Sequence, residues 1–226
     1  MPTHLEYILF NLVVLMGPVL LSFDRHLRFI RQWRHALLSI LPVMALFIIW
    51  DWLVTDRHWW FNPVYTAGTF IGALPLGEWL FFLSVPFASL FVWDVLRHYR
   101  PRGALPGAGI HPLWLTLGLA PALIFACLGK EYTALVFFAF TNAAWYDLTR
   151  GGRVLSRPNI LWYVAILTGL MFVFNGYLTA RPVVLYQAQY QLDIRIFTIP
   201  LEDFFYGYSL ILGCTSIYEK YRRNHA

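Results

Sequence analysis

The sequence predicts an all-α integral membrane protein of seven transmembrane helices, N-terminus outside and C-terminus inside. Helices 1–3 and 5–7 form two parallel three-helix repeats joined by helix 4. Three observations predict this. Hydrophobic residues make up 59% of the 226-residue chain and charged residues only 13%, about half the charge of a soluble domain. A globule of this length has too little interior for so much apolar surface. Seven segments come close to the ~20 apolar residues that cross a bilayer, and the basic residues fall on alternate sides of them. The same composition excludes a disordered chain. Cys127 and Cys214 both lie inside apolar runs, which argues against a disulfide framework or a cysteine-rich metal site.

The predicted spans are 4–23, 36–54, 75–97, 112–128, 131–148, 159–178 and 199–218. The first does not read as a signal peptide, because Met1-Pro2-Thr3-His4 lacks a basic region. Pro75, Pro112, Pro158 and Pro200 stand at or just before a first helical turn, where a missing N–H costs nothing. Pro18, Pro42, Pro86 and Pro121 lie inside spans, where neighbouring helices can satisfy the freed carbonyls. One set of connections holds Arg25, Arg28, Arg31, Arg34, Arg97, Arg100, Arg102, Arg150, Arg153, Arg157, Lys220, Arg222 and Arg223. The alternate set holds only Arg57, Lys130, Arg181 and Arg195. The net charge of +5 is therefore a topology signal and a contact for anionic membrane lipid, not a nucleic-acid footprint.

Rare polar residues reveal the repeat. Pro75-Leu76-Gly77-Glu78-Trp79 matches Pro200-Leu201-Glu202-Asp203-Phe204, and 19 residues after each proline comes an acid, Asp94 or Glu219. Asp51 precedes Pro75 by 24 residues and Asn175 precedes Pro200 by 25; Glu6-Tyr7 opens the first helix and Glu131-Tyr132 the fifth. Three spans invert the chain, so a fourth helix is needed to bring the second copy in from the same side. The expected units are 1–100 (helices 1–3), 101–130 (linker and helix 4) and 131–226 (helices 5–7).

In this topology Glu6, Asp51, Glu78, Glu202, Asp203 and the amide of Asn175 share the outer layer of the membrane. Charge inside a span costs ~2.5–3.5 kcal/mol, so their convergence marks the candidate site. Glu6 and Asp51 also read as interfacial residues paired with Arg57, Arg181 or Arg195. Asp94, Asp147 and Glu219 lie beside arginines at the inner ends and read as anchors. Phe81, Phe82, Phe204, Phe205 and Tyr206 follow the acidic motifs directly, placed either to pack between helices or to line an apolar pocket with faces suited to a cation. No histidine pair has metal-ligand spacing on a helix, and no metal is expected.

The two motifs, Pro75-Leu76-Gly77-Glu78-Trp79-Leu80-Phe81-Phe82 and Pro200-Leu201-Glu202-Asp203-Phe204-Phe205-Tyr206-Gly207, resemble those of the membrane lycopene cyclase domain family, found in heterodimeric or fused carotenoid cyclases. Gly17-Pro18…Ser22-Phe23-Asp24, Trp50-Asp51, Phe61-Asn62-Pro63 and Asn175-Gly176 extend the resemblance over nearly the whole chain. It implies redox-neutral cyclisation of an acyclic carotenoid ψ-end such as that of lycopene. No cofactor is implied, and the chain has no GxGxxG fingerprint. Gly77 departs from the family pattern, which has an acid there. Protonating an alkene requires a dry, protonated carboxylic acid. The role falls to Glu202, with Asp203, Glu78 and Asp51 as proton-network or accepting groups and Asn175 and the aromatics against substrate. The implied setting is a multi-pass protein of a prokaryotic cytoplasmic membrane, with itself or other carotenoid enzymes as partners. A non-catalytic cyclase subunit, a proton-coupled transporter and a retinal-binding protein are the competing readings.

Overall fold

The computed structural model describes residues 4–99 and 118–224. Among them are seven α-helices: α1 (Glu6–Leu21), α2 (Trp33–Val54), α3 (Leu76–Tyr99), α4 (Leu119–Cys127), α5 (Glu131–Thr149), α6 (Ile160–Ala180) and α7 (Leu201–Asn224). The predicted linker after residue 100 and the start of the fourth span, with Arg100, Arg102 and Pro112, lie outside the described residues. α2 with its leading 3-10 turn, α3 and α6 are long and apolar enough to cross a membrane. Large apolar side chains face outward along the helices, as at Leu46 (68% exposed) and Leu53 (75%). Exposed surface of this kind suits lipid, not water.

The repeat is visible in the coordinates. α5 and α7 each begin 125 residues after α1 and α3. So do short strands the sequence reading did not foresee: β1 (Trp59–Phe61), β2 (Phe70–Ile71) and β3 (Leu74–Pro75) match β4 (Val184–Tyr186), β5 (Arg195–Ile196) and β6 (Ile199–Pro200). Two or three residues are too few to show an alternating pattern. β2–β3 and β5–β6 are antiparallel hairpins that deliver each proline to the start of its helix. β1 pairs antiparallel with β4, Trp59 opposite Tyr186, and so joins the repeats.

α1, α3, α5 and α7 start at one end of the molecule, where α2 and α6 finish; this is the motif end. At the opposite, basic end the repeats are cross-linked reciprocally. Glu219 accepts hydrogen bonds from the Trp93 indole (2.8 Å), Arg97 (2.6 Å) and Arg157 (3.2 Å). Its counterpart Asp94 pairs with Arg222 and the Tyr218 hydroxyl. Asp147 accepts from the Val154 and Leu155 amides and Ser216. These three acids are the anchors expected. The pairing with α3 also carries α7 past the predicted residue 218 to Asn224.

The second helices of the two repeats differ. α2 buries eight residues, among them Ile40, Val43, Phe47 and Asp51, against the core that includes Leu210 and Cys214. α6 buries only Tyr163, Leu167 and Leu178. At Gly213 of α7 an added Cβ would lie 3.3 Å from Val43, so the glycine allows α2 its close approach. The corresponding residue on α3 is Ala88, which faces a cavity.

Candidate functional site

Each proline-led hairpin sets a carboxyl in the first turn of its helix, Glu78 on α3 and Asp203 on α7. A tyrosine from the first helix of the same repeat meets each one. Tyr7 donates its hydroxyl to Glu78, and Tyr132 donates to Asp203 at 2.7 Å. The true counterparts across the repeat are thus Glu78 and Asp203, and Glu202 corresponds to Gly77. Gly77 is glycine because the Tyr7 ring fills the adjacent space: an added Cβ would lie 2.5 Å from its Cδ1. The Asn11 amide fixes the same turn through the Gly77 carbonyl at 2.9 Å.

The two carboxyls have unlike surroundings. Asp203 accepts three hydrogen bonds, from Tyr132, from Tyr186 at 2.7 Å and from Asn175 at 3.1 Å, a donor set that suits an anion. Burial, and then the Asp203 carboxylate, push the phenol of Tyr186 on strand β4 well above its ordinary range, so it stays a donor. Glu78 takes the Tyr7 hydroxyl and neighbours a second carboxyl, Asp51 from α2. Asp51 is 2% exposed, and its Oδ2 has no hydrogen-bond partner among the described residues. The buried Tyr206 hydroxyl, surrounded by Asp51, Glu78 and Asp203, is likewise unpartnered there.

These groups lie at the end of a cavity of about 360 Å³. Asp51, Glu78, Asp203, Asn175, Phe81 and Tyr206 line it, as do Tyr7, Tyr132, Trp59 and Tyr186. The β1–β4 pair closes the motif end with Trp59, Phe61, Val184 and Tyr186. From there an almost wholly apolar cleft runs beside α1 from Tyr7 to Leu21, fourteen helical rises or about 21 Å.

Several expected site residues lie elsewhere. Glu202 is not in the cavity wall: Thr133 and the Leu192 amide bond its Oε1 at 2.6 and 2.7 Å on another side of α7. Successive helical residues point about 100° apart, and Asp203 is the one turned inward. Phe82, Phe204 and Phe205 also lie outside the cavity lining. Phe82 is in the core, Phe204 meets Phe172, and Phe205 packs on Phe137 and Phe140. Glu6 does not join the cluster; it clasps α1 to the end of α6 through Arg181 (2.7 and 3.0 Å) and Tyr177 (2.6 Å). Glu131 makes the equivalent clasp to Arg57 and His58. The sequence reading missed Tyr7, Tyr132, Trp59 and Tyr186. For the first two the signal was present, a tyrosine after each helix-opening glutamate.

A family model described as lycopene cyclase matches residues 4–96 and again 129–221, well over half of the chain and one match per repeat. No curated protein and no solved structure matches the chain.

Proposed function

Since this chain belongs to the lycopene cyclase family, we propose that it is a membrane isomerase that cyclises the acyclic ψ-ends of a carotenoid such as lycopene to γ- or β-carotene-type rings. The observation that carries the proposal is a cluster of buried carboxyls at the end of a long apolar cleft. The reaction adds one proton to a terminal alkene carbon and closes a carbon–carbon bond onto the resulting cation. It then removes one proton from a ring carbon, leaving atoms and electrons unchanged in number.

The donor role expected at Glu202 passes in this reading to the adjacent Asp51–Glu78 pair. Two neighbouring carboxyls in a dry site share a proton, because both cannot carry charge at low cost. Asp203, with three donors placed to support its carboxylate form, stabilises the cation and takes the outgoing proton. Tyr206, Trp59 and Phe81 offer ring faces to the cation. Glu202 supports the second-repeat loop through Leu192. Seven spans with the N-terminus outside, in the cytoplasmic membrane of a prokaryote, complete the proposal. The arginine asymmetry supports it, and the motif end then lies in the outer leaflet.

Expression of the chain alone in a lycopene-accumulating host tests the function. Monocyclic or bicyclic carotenoids separated from the pigments are the expected result; unchanged lycopene beside membrane-inserted protein would contradict it.

A further inference from the structure

Among the described residues the cavity lies on the α6 side, although the repeats give the chain two equivalent sides. α6 is pinned at both ends. At its basic end the Tyr163 hydroxyl bonds the Ser89 carbonyl (3.1 Å) and Thr215 (3.0 Å), and Asn159 bonds the Leu96 carbonyl (3.3 Å). At its motif end Asn175 and Tyr177 hold Asp203 and Glu6. Between those ties the helix stands off α3, and the cleft runs beneath it. Near the motif end Phe10 of α1 meets Phe174 and Tyr177. Farther along, Val13 and Leu21 line the cleft while each is 56% exposed, so this stretch is open to the surrounding lipid between α1 and α6. On the other side α2 fills the equivalent space. Phe47 and Trp50 pack on Tyr206 at 5.1 and 5.0 Å between ring centres, and Val43 seats against Gly213.

We propose that the molecule has a single slot, which takes one arm of a linear polyene from the bilayer between α1 and α6 and lays it along the helices with its end on the carboxyls. The equivalent position under α2 is closed, so the two ends of a symmetric substrate are handled in separate binding events. This rests on the cyclase reading for its chemistry and on the cleft alone for its geometry. The lining is apolar along the length of α1 and, apart from Ser89 on α3, polar only at the motif end, which matches a hydrocarbon with a reactive terminus. A C40 polyene is longer than the slot, so its second end stays in lipid.

Gly17 is the diagnostic position. It lines the cleft in mid-α1, and an added Cβ meets nothing within 4 Å. Gly17→Phe therefore finds room to project a ring into the slot. Asn142, the matching residue of α5, is exposed, and among the described residues its amide bonds only the Phe138 carbonyl of its own helix; Asn142→Phe is the control. Two readouts apply to detergent-purified protein: ring formation from lycopene, and the absorption shift of bound lycopene. Gly17→Phe is expected to lose both by about ten-fold or more, with Asn142→Phe unchanged. Equal binding by Gly17→Phe and the parent, or loss on Asn142→Phe, would overturn the slot. Lycopene bound by the parent but never cyclised would sink the cyclase reading while leaving the slot standing. Where bicyclic product forms, labelled monocycle must exchange with added unlabelled monocycle; bicycle formed without such exchange would refute separate events.

Discussion

Replacing Glu219 by alanine strips the basic end of its main tie. The carboxyl is 1% exposed and accepts from Trp93, Arg97 and Arg157 at 2.8, 2.6 and 3.2 Å. Breaking a buried ion pair costs ~3–5 kcal/mol. The Arg97 and Arg157 side chains are 32% and 36% exposed, so water recovers part of that, and the expected loss is about 2–3 kcal/mol. At ~2–4 °C per kcal/mol for a chain of this size, the apparent melting midpoint in detergent falls by about 4–12 °C. Asp94→Ala, which releases one guanidinium and one phenol, costs less. Glu219→Ala combined with Arg97→Ala costs less than the sum of the two, because they share the contact. The motif end is distant, so cyclisation measured well below the midpoint persists. An unchanged midpoint, or a loss of activity without a loss of stability, would refute the reasoning.

Gly77→Ala forces the Tyr7 ring from its seat (2.5 Å to the new Cβ) and costs about 1–3 kcal/mol; cyclisation should fall with it, and normal turnover at normal stability would contradict that. Tyr186→Phe removes one of three donors to Asp203, and turnover measured on pigment extracts should drop about ten-fold or more, for a bond to a charged group worth ~1.5–3 kcal/mol. His58 gives a pH dependence. Its side chain is 1% exposed, Nε2 faces Glu131 at 3.0 Å and Nδ1 has no hydrogen-bond partner among the described residues. Burial holds the imidazole below its usual range, with Glu131 opposing. The unfolded chain therefore binds the extra proton first: stability is complete above the unfolded value of about 6.5 and is lost as pH falls through the folded one. His58→Gln should flatten the decline of the melting midpoint on the acid side, and parallel curves for the two proteins would contradict this.

Much of this was legible in the residues. Apolar runs marked the helices, since burial in lipid leaves little choice of side chain. The spaced prolines and acids marked the repeat, and the convergence of Asp51, Glu78, Asp203 and Asn175 followed from their common depth. Adjacent acids were not separable, because whether Glu202 or Asp203 faces inward depends on how α5 and the β4–α7 connection sit against α7. Tyr186 had no signal either; its counterpart in the first repeat is Phe61, so the match that exposes Glu78 and Asp203 passes over it. The cleft beneath α6 was hidden for a different reason. α2 and α6 are both evenly apolar, and their difference arises in neighbours such as Gly213 and Ala88, a single methyl group apart.

The proton donor can be tested directly by comparing Asp51→Asn, Glu78→Gln and Glu202→Gln at equal protein levels in lycopene-accumulating cells. The account predicts that the first two lose ring formation by about a hundred-fold or more, the scale of a missing general acid, while Glu202→Gln still makes cyclic carotenoid. Ring formation abolished only in Glu202→Gln, with the other two active, would contradict it.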